Sequence, residues 1–361
     1  MLMEPPAGSA PRFRVESLKL IPEVTILHHR EADGTLWGTD GRWIVRGRSG
    51  GAWTRLARFP FVWRRDLLAF TRPLTRALRA DKANLFVNMN GLVLAIRASQ
   101  VYRVSTEGSL VPLFTIAGDS VLHGGICQDQ QGWTVFGEYF MNPSREAVRI
   151  WRVDPDLEAW EVAHTFAPGA VRHVHGVYRD PYEAEALWIT VGDKDGECFF
   201  YRTRDRFKTL ERFGEGNQRW RAVRLFFTPD HICWLTDSQL EQNHALRIER
   251  ATGRLEVGGV LRAPAWYGAV TAEGLYVAFT TVEPGPAVQR SSAAVLVSED
   301  AFHWEEIYGF EKDPWRPMKI FKYGVISCPG GTLETAEFPV SGEGLVGLDG
   351  ASALLRIARR G

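Results

Sequence analysis

A short pattern led by tryptophan recurs along the chain and limits the possible folds more than any other feature. In each copy an apolar run led by Trp ends in Gly or Thr, followed by a carboxylate. The copies lie at 36–40, 133–138, 188–193 and 234–237, with a looser fifth at 276–283. The tryptophans at 133, 188 and 234 lie about fifty residues apart, a period typical of repeat proteins built from small β-sheets.

Each copy of the pattern lies within a group of four strand-like runs. One run precedes it, as at 173–177, and two follow it, as at 245–250 and 255–257. Four antiparallel strands in about forty to fifty residues make one blade of a β-propeller. The sequence therefore predicts an all-β fold, a β-propeller with seven blades of four antiparallel strands, at 24–58, 84–116, 119–166, 171–213, 219–261, 265–310 and 316–358. Six or eight blades are the alternatives, because the second blade has the weakest pattern.

The two ends of the chain fit this arrangement. Residues 1–361 are predicted to form a single propeller domain, with residues 1–12 as a disordered tail. The last unit shows only three convincing strands, and a spare strand-like run lies at 13–20. Pairing of this run with the last unit would close the ring and remove an open sheet edge.

One segment, at 60–83, interrupts the β pattern between the first two blades. Within it, residues 64–82 place Leu67, Phe70, Leu74 and Leu78 at helical spacing, with Pro73 interrupting. The same stretch carries six basic residues against two acidic ones. We predict a short helical insertion packed on the side of the propeller. Contact with a membrane surface or an acidic ligand is the alternative.

Composition excludes several classes of protein. Lys plus Arg and Asp plus Glu number 43 each, so the formal net charge is zero, which argues against a nucleic-acid partner. The N-terminus lacks the apolar core of a signal peptide, and no apolar run is long enough to span a membrane. The four cysteines lie far apart without CxxC spacing, which predicts free thiols. These features predict a cytoplasmic protein with no transmembrane segment, as a monomer or a small homo-oligomer.

Most of the distinctive polar residues fall at two positions of the predicted blade. The innermost strand begins at one face of the ring and the second strand returns to that face. Residues that open the first strand and close the second therefore surround one mouth of the central channel. The predicted catalytic residues are His123, Glu138, Tyr139, His175, Asp193 and Asp237. The predicted substrate-binding residues are His173, Arg219, Arg221, Asn243, His244, Trp266, Tyr267 and Lys319.

These side chains suit a polyhydroxylated, acidic ligand. Arg forms paired hydrogen bonds with a carboxylate or sulfate, and an aromatic ring can stack on the apolar face of a sugar. The sequence therefore predicts a carbohydrate-active protein that binds an acidic (uronate or sulfated) oligo- or polysaccharide and cleaves it. A non-catalytic propeller that recognises a glycan or a protein partner is the alternative function.

The two main cleavage chemistries call on different members of this set. Hydrolysis requires two carboxyl groups that flank the glycosidic oxygen, and the candidates are Glu138, Asp193 and Asp237. β-Elimination from a uronate requires a base for the C5 proton, an acid for the leaving oxygen and a cation that neutralises the carboxylate. The base would be His175 or His123, the acid Tyr139 or Tyr267, and the cation Arg221 or Arg219.

Two structural interpretations stay open beside these roles. The repeated carboxylates can cap loops by accepting backbone hydrogen bonds. His173 and His175 share one face of a strand, so a divalent metal at the channel mouth is an alternative, although no cofactor is predicted.

Two segments of the outer hairpins resemble a known motif. Residues 203–210, Thr-Arg-Asp-Arg-Phe-Lys-Thr-Leu, and 298–304, Ser-Glu-Asp-Ala-Phe-His-Trp, are similar to the Asp-box of the sialidase-type propellers, S/T-x-D-x-G-x-T-W. In that family the box is a structural turn, so the resemblance implies a fold and not an activity. The His, Tyr and Arg set is also similar to that of propeller-fold polysaccharide lyases, which implies β-elimination.

Overall fold

The computed structural model describes residues 11–67, 69, 71–78, 80–314, 318 and 323–361. Within these ranges the chain forms two short helices, α1 (Trp63–Asp66) and α2 (Arg72–Ala77), and 29 strands. The strands are β1 (Phe13–Ile21), β2 (Ile26–Arg30), β3 (Leu36–Asp40), β4 (Trp43–Gly47), β5 (Trp53–Arg58), β6 (Asn84–Val87), β7 (Val93–Arg97), β8 (Gln100–Val104), β9 (Leu110–Thr115), β10 (Ile126–Gln128), β11 (Thr134–Gly137), β12 (Val148–Val153), β13 (Trp160–Phe166), β14 (Val174–Arg179), β15 (Leu187–Val191), β16 (Cys198–Thr203), β17 (Glu211–Gly216), β18 (Leu225–Phe227), β19 (His231–Leu235), β20 (Asn243–Glu249), β21 (Leu255–Leu261), β22 (Ala265–Val270), β23 (Tyr276–Thr280), β24 (Ser292–Ser298), β25 (Glu305–Glu311), β26 (Val325–Ser327), β27 (Gly330–Gly331), β28 (Phe338–Glu343) and β29 (Ala351–Arg359).

The strands form seven sheets, which are the seven blades of a β-propeller. The first blade is β2 to β5, and the next five are β6–β9, β10–β13, β14–β17, β18–β21 and β22–β25. The seventh has the order β26-β28-β29-β1. The short strand β27 adds a parallel pair to β2, and the other neighbours within the blades run antiparallel. The predicted all-β, seven-bladed propeller is confirmed.

The N-terminal strand joins the last blade. Strand β1 pairs with β29 from Phe13 opposite Arg359 to Ile21 opposite Ser352. The side chain of Arg12, just before β1, also forms ion pairs with Glu299 and Glu305 of the sixth blade. The two ends of the chain therefore share one sheet, which removes the free edge that an open ring would leave.

Two tryptophans of the repeated pattern pack between blades. Trp188 of the fourth blade and Trp234 of the fifth are fully buried in one apolar cluster. The ring of Trp234 lies 4.9 Å from that of Phe200 and 5.2 Å from that of Trp220. Trp188 and Trp234 are therefore part of the packing between the fourth and fifth sheets, and the polar residues that follow them are left at the strand ends.

The two segments that resemble the Asp-box are turns between the third and fourth strands of their blades. Asp205 accepts hydrogen bonds from the Thr203 hydroxyl (3.0 Å) and from the backbone N–H of Thr209 (3.0 Å). Asp300 accepts them from the Ser298 hydroxyl (2.9 Å) and the backbone N–H of His303 (2.8 Å). Each carboxylate accepts hydrogen bonds from the turn of its own hairpin. The motif therefore stabilises the turn and does not indicate a catalytic role.

The helical insertion lies at the channel mouth as well as against the blades. Its Arg76 is fully buried and pairs with Asp349 of the seventh blade at 3.2 Å, while Asp66 pairs with Arg97 of the second blade at 2.5 Å. Pro73 stands in the first turn of α2, where its missing N–H costs nothing. Phe70 lies outside the described residues. None of the helices in the described part of the chain has the length and hydrophobicity of a membrane-spanning segment.

Candidate functional site

A cavity of about 490 Å³ opens at one mouth of the propeller channel. Its walls come from the starts of the innermost strands and from the segments that follow the second strands, as the blade geometry predicts. Nine of the predicted residues line it: His123, Tyr139, His173, His175, Asp193, Arg221, Asp237, Trp266 and Tyr267. Residues more than a hundred positions apart in the chain thus meet around one opening.

Four predicted residues lie outside this lining. Asn243 and His244 begin the third strand of their blade, one strand further from the channel axis, and Asn243 closes a loop by bonding Thr236 and Ser238. Arg219 is exposed in a single 3-10 turn. Glu138 is the fourth, and hydrogen bonds enclose its side chain. Lys319 lies outside the described residues.

Glu138 is a structural residue and not an acid or base. Its side chain is fully buried, and it accepts hydrogen bonds from the backbone N–H of Ala117 (2.9 Å), the backbone N–H of Arg149 (3.0 Å) and the indole N–H of Trp151 (3.1 Å). Both carboxylate oxygens are used. The capping role that the sequence left open therefore describes Glu138.

We expect Glu138→Gln to lower the free energy of unfolding by about 1–3 kcal/mol, because one acceptor oxygen is replaced by a donor that faces another donor. Urea unfolding of the variant and the wild type measures this loss. The folded variant should retain its ligand affinity within about twofold, since Glu138 does not touch the cavity. A large loss of affinity at unchanged stability would contradict the assignment.

His173, His175 and Asp193 form a compact triangle in the cavity wall. The Nε2 atoms of the two histidines lie 3.0 Å apart. Asp193 Oδ1 lies 3.2 Å from Nε2 of His175 and 3.4 Å from Nε2 of His173. Both histidines are almost completely buried. His173 comes directly before strand β14 and His175 lies within it, and Asp193 follows the neighbouring strand β15.

The backbone determines which nitrogen of each ring carries the proton. His173 Nδ1 lies 2.8 Å from the carbonyl oxygen of Phe140, and His175 Nδ1 lies 3.0 Å from that of Ala222. A carbonyl oxygen only accepts, so each Nδ1 is the donor. The two Nε2 lone pairs then face each other and the Asp193 carboxylate, and three acceptors meet with no donor among them.

Such a cluster needs an extra proton or a metal ion at its centre. Burial lowers the pKa of His173, although Asp193 opposes this shift, so an imidazolium there is disfavoured. Ligand atoms on adjacent sites of one octahedral ion lie about 3 Å apart. The edges of the triangle therefore fit a divalent metal ion.

Two arginines fix the Asp193 carboxylate. Arg172 Nη1 lies 2.8 Å from Oδ2, and Arg221 Nη2 lies 3.4 Å from Oδ1. These contacts orient the Asp193 carboxylate toward the two imidazoles, whether the three groups hold a metal ion or only interact with one another.

A second charged cluster lies behind Arg221. Arg221 Nε lies 3.3 Å from Asp237 Oδ2, and the indole N–H of Trp266 donates to Asp237 Oδ1 at 2.6 Å. Burial raises the pKa of Asp237, and Arg221 opposes that shift. Glu283, in the looser copy of the repeat, is also buried and bonds Thr281 and Gln239. Its burial, and after it the carboxylate of Asp237, raise the pKa of Glu283 to about 8.

Glu283 should make stability depend on pH. The folded chain holds its proton up to about pH 8, whereas the unfolded chain releases it near the ordinary carboxyl value of about 4.3. Its stabilising contribution is therefore complete at low pH and is lost as the pH rises toward 8, by at most about 1.4 kcal/mol per pH unit. Urea unfolding between pH 5 and 8 should show a flatter dependence for Glu283→Gln than for the wild type. Parallel curves would show that Glu283 is ionised throughout.

His123 also lines the large cavity and is only partly buried. Its ring lies 5.4 Å from that of His28 and 5.8 Å from that of Tyr267. Burial, and after it His123, lower the pKa of His28 well below its usual range, so His28 is a neutral neighbour. Burial raises the pKa of Tyr267 far above its usual range, so its hydroxyl keeps its proton. Tyr139, partly exposed, lies 4.4 Å from the His173 ring.

The sequence interpretation missed several residues of the cavity wall. Arg172 precedes the predicted opening residue His173, and Arg72, Asp81 and Lys82 come from the insertion, which borders the cavity instead of packing only on the side of the propeller. The six basic residues of the insertion were the one available signal. The described lining contains four basic side chains, Arg72, Lys82, Arg172 and Arg221, against five carboxylates, Asp81, Asp119, Asp193, Asp237 and Glu343.

The fold and the cavity define the class: a seven-bladed propeller with a cavity at one mouth of its channel that is lined by imidazole, carboxylate, guanidinium and aromatic groups. No protein-family model matches the sequence, and a search of curated proteins finds no match. The resemblance to sialidase-type proteins is therefore supported only as far as the propeller fold.

Solved structures of similar fold include two oligogalacturonate lyases. One, in complex with manganese, is 9% identical with a TM-score of 0.57, over 96% of this chain and 95% of that one. The second, from Vibrio parahaemolyticus, is 13% identical with a TM-score of 0.52, over 86% of this chain and 88% of that one. A third match is the extracellular domain of a proposed hybrid two component system from B. thetaiotaomicron, at 9% identity and a TM-score of 0.51. The match covers 94% of this chain but only 42% of the length of that structure's chain. At these identities the likeness shows the fold alone.

Proposed function

We propose that this protein binds an acidic, uronate-containing saccharide in the large cavity and cleaves it by β-elimination. The observation that carries the proposal is the meeting of three kinds of group in one cavity: a partly buried imidazole, His123; a tyrosine, Tyr139; and the triangle of His173, His175 and Asp193 that fits a divalent cation. Two solved structures of similar fold bear the name oligogalacturonate lyase, which supports this substrate class.

The state of the carboxylates favours elimination over hydrolysis. Glycoside hydrolysis uses a pair of carboxyl groups that flank the scissile bond. Of the three candidates, Glu138 is enclosed by hydrogen bonds, and Asp193 and Asp237 are both paired with arginine. None of them is placed to act as an unpaired acid or nucleophile.

The charge of the cavity indicates why a metal ion suits an acidic ligand. The described lining has more carboxylates than basic side chains, so on its own it would repel a uronate. His173, His175 and Asp193 would hold a divalent metal ion, which would supply the positive charge that neutralises the carboxylate of the substrate. The manganese complex of one structurally similar lyase is in keeping with this assignment.

The proton transfers fall to residues of the chain. His123 accepts the proton from C5 of the uronate, and the electron pair of that C–H bond forms the C4–C5 double bond. The C4–O bond breaks, and Tyr139 donates a proton to the leaving oxygen. The products are a 4,5-unsaturated uronate and a saccharide with a free hydroxyl. Tyr267, whose hydroxyl keeps its proton, borders His123 and can bond a sugar hydroxyl. Trp266 offers an aromatic face to the same cavity.

Digestion of oligogalacturonate with manganese present tests the proposal. Ultraviolet absorbance measures the unsaturated product, and a separate assay counts new reducing ends. Equal amounts of the two indicate elimination, whereas reducing ends without absorbance indicate hydrolysis. Binding of the oligosaccharide with neither product would favour the alternative function, a glycan-recognition propeller, and would contradict the proposed cleavage.

A further inference from the structure

A second, smaller cavity of about 200 Å³ lies further along the channel. His123 and Tyr267 line both cavities and separate them. In strand β22, Trp266 and Tyr267 border the large cavity, and the later residues Gly268 to Val270 border the small one. The small cavity therefore lies toward the opposite end of the innermost strands.

The electrostatic character of this cavity is opposite to that of the large one. Its described lining contains Arg224 and His123 but no Asp or Glu. Among the described residues, no carboxylate forms an ion pair with Arg224. Its Nη1 makes one long hydrogen bond, 3.4 Å, to the carbonyl oxygen of Gly124, and its Nε is buried without a partner. The guanidinium lies 5.4 Å from the ring of Tyr178 and 5.9 Å from that of Phe226, which holds it at this end of the channel.

A guanidinium stays ionised at every physiological pH, and its donors match the oxygens of a carboxylate, sulfate or phosphate. Leaving such a group in a cavity with an unpaired donor and no counter-charge is unfavourable. We propose that the small cavity binds a small oxyanion through Arg224. Its volume suits a single anionic group, since cavities for larger ligands are typically about 300–1,000 Å³. This site is independent of the proposed saccharide cleavage.

The test measures the melting temperature against sulfate concentration at constant ionic strength, with chloride as the balancing salt. We expect the melting temperature of the wild type to rise with sulfate until the site is saturated. For Arg224→Gln we expect a sulfate dissociation constant at least about tenfold higher, because the paired, charge-assisted hydrogen bonds are lost. Arg219→Gln is the matched control, since Arg219 is exposed and lines neither cavity; it should respond like the wild type. An equal response of Arg224→Gln would overturn the proposal.

Crystals of the wild type soaked in selenate locate the anion by its anomalous signal, even if Arg224→Gln does not fold. Selenate within hydrogen-bonding distance of the Arg224 guanidinium would support the site. Its absence there, or its presence only beside Arg172 in the large cavity, would refute it. Neither result depends on whether the protein cleaves oligogalacturonate.

Discussion

Replacing His123 with alanine is expected to lower the rate of elimination by about 10²–10⁴-fold, the usual contribution of a positioned general base. His123 borders the large cavity, and its neighbour His28 is held neutral by burial. The loss should appear in kcat, with a small change in KM, because the imidazole acts on the proton and does not hold the carboxylate. Initial rates of unsaturated-product formation measure it.

Chemical rescue separates a base from a structural residue. Added imidazole should restore part of the activity of His123→Ala, since the space left by the ring can admit it. His164→Ala is the control, because His164 lies in the outermost strand of the third blade and lines neither cavity. Full activity in His123→Ala, or an equal loss in His164→Ala, would show that His123 is not the base.

Removing His173 is expected to weaken manganese binding by at least about 100-fold, since loss of one of three ligands should cost more than the 10–100-fold typical of outer-shell partners. The wild type should bind one Mn²⁺ per chain, as counted from the electron paramagnetic resonance signal of free Mn²⁺ in a titration. The same measurement on His173→Ala needs no substrate, so it is independent of the cleavage assay.

Two comparisons make the metal prediction specific. Asp193→Asn should weaken binding similarly, while Glu138→Gln, which changes a buried carboxylate outside the cavity, should leave binding unchanged. If the wild type binds no manganese, or if His173→Ala binds it as tightly, the triangle is a hydrogen-bonded cluster that holds a proton. The metal assignment then fails, and the acidic ligand must be neutralised by other residues.

Periodicity explains why the fold could be predicted from the sequence. Each blade repeats one arrangement of apolar strands and turns, so the same signal appears several times, and Trp188 of the fourth blade and Trp234 of the fifth both pack into the gap between those two sheets. The same geometry predicted which strand ends face the channel, and nine predicted residues meet there.

The roles of individual residues could not be predicted in the same way. Glu138 and Asp193 both end a second strand in copies of one pattern, yet Glu138 is enclosed by N–H donors while Asp193 faces two imidazoles. The difference comes from the chain segments that pack beside each carboxylate: Ala117 lies beside Glu138, and Arg221 lies beside Asp193. These segments are distant in the sequence from the carboxylates that they contact. No local pattern records those contacts.

The order of apolar and turn residues thus determined the seven sheets, their circular arrangement and the end of the channel where polar groups collect. Only the tertiary structure decided which of those groups are tied up in hydrogen bonds, how the insertion reaches the mouth through Arg72 and Lys82, and how His173 and His175 come to direct their lone pairs at one carboxylate. The physical reason is that secondary structure depends on regular, local spacing, whereas protonation and ligand binding depend on distances of a few ångströms between segments from different blades.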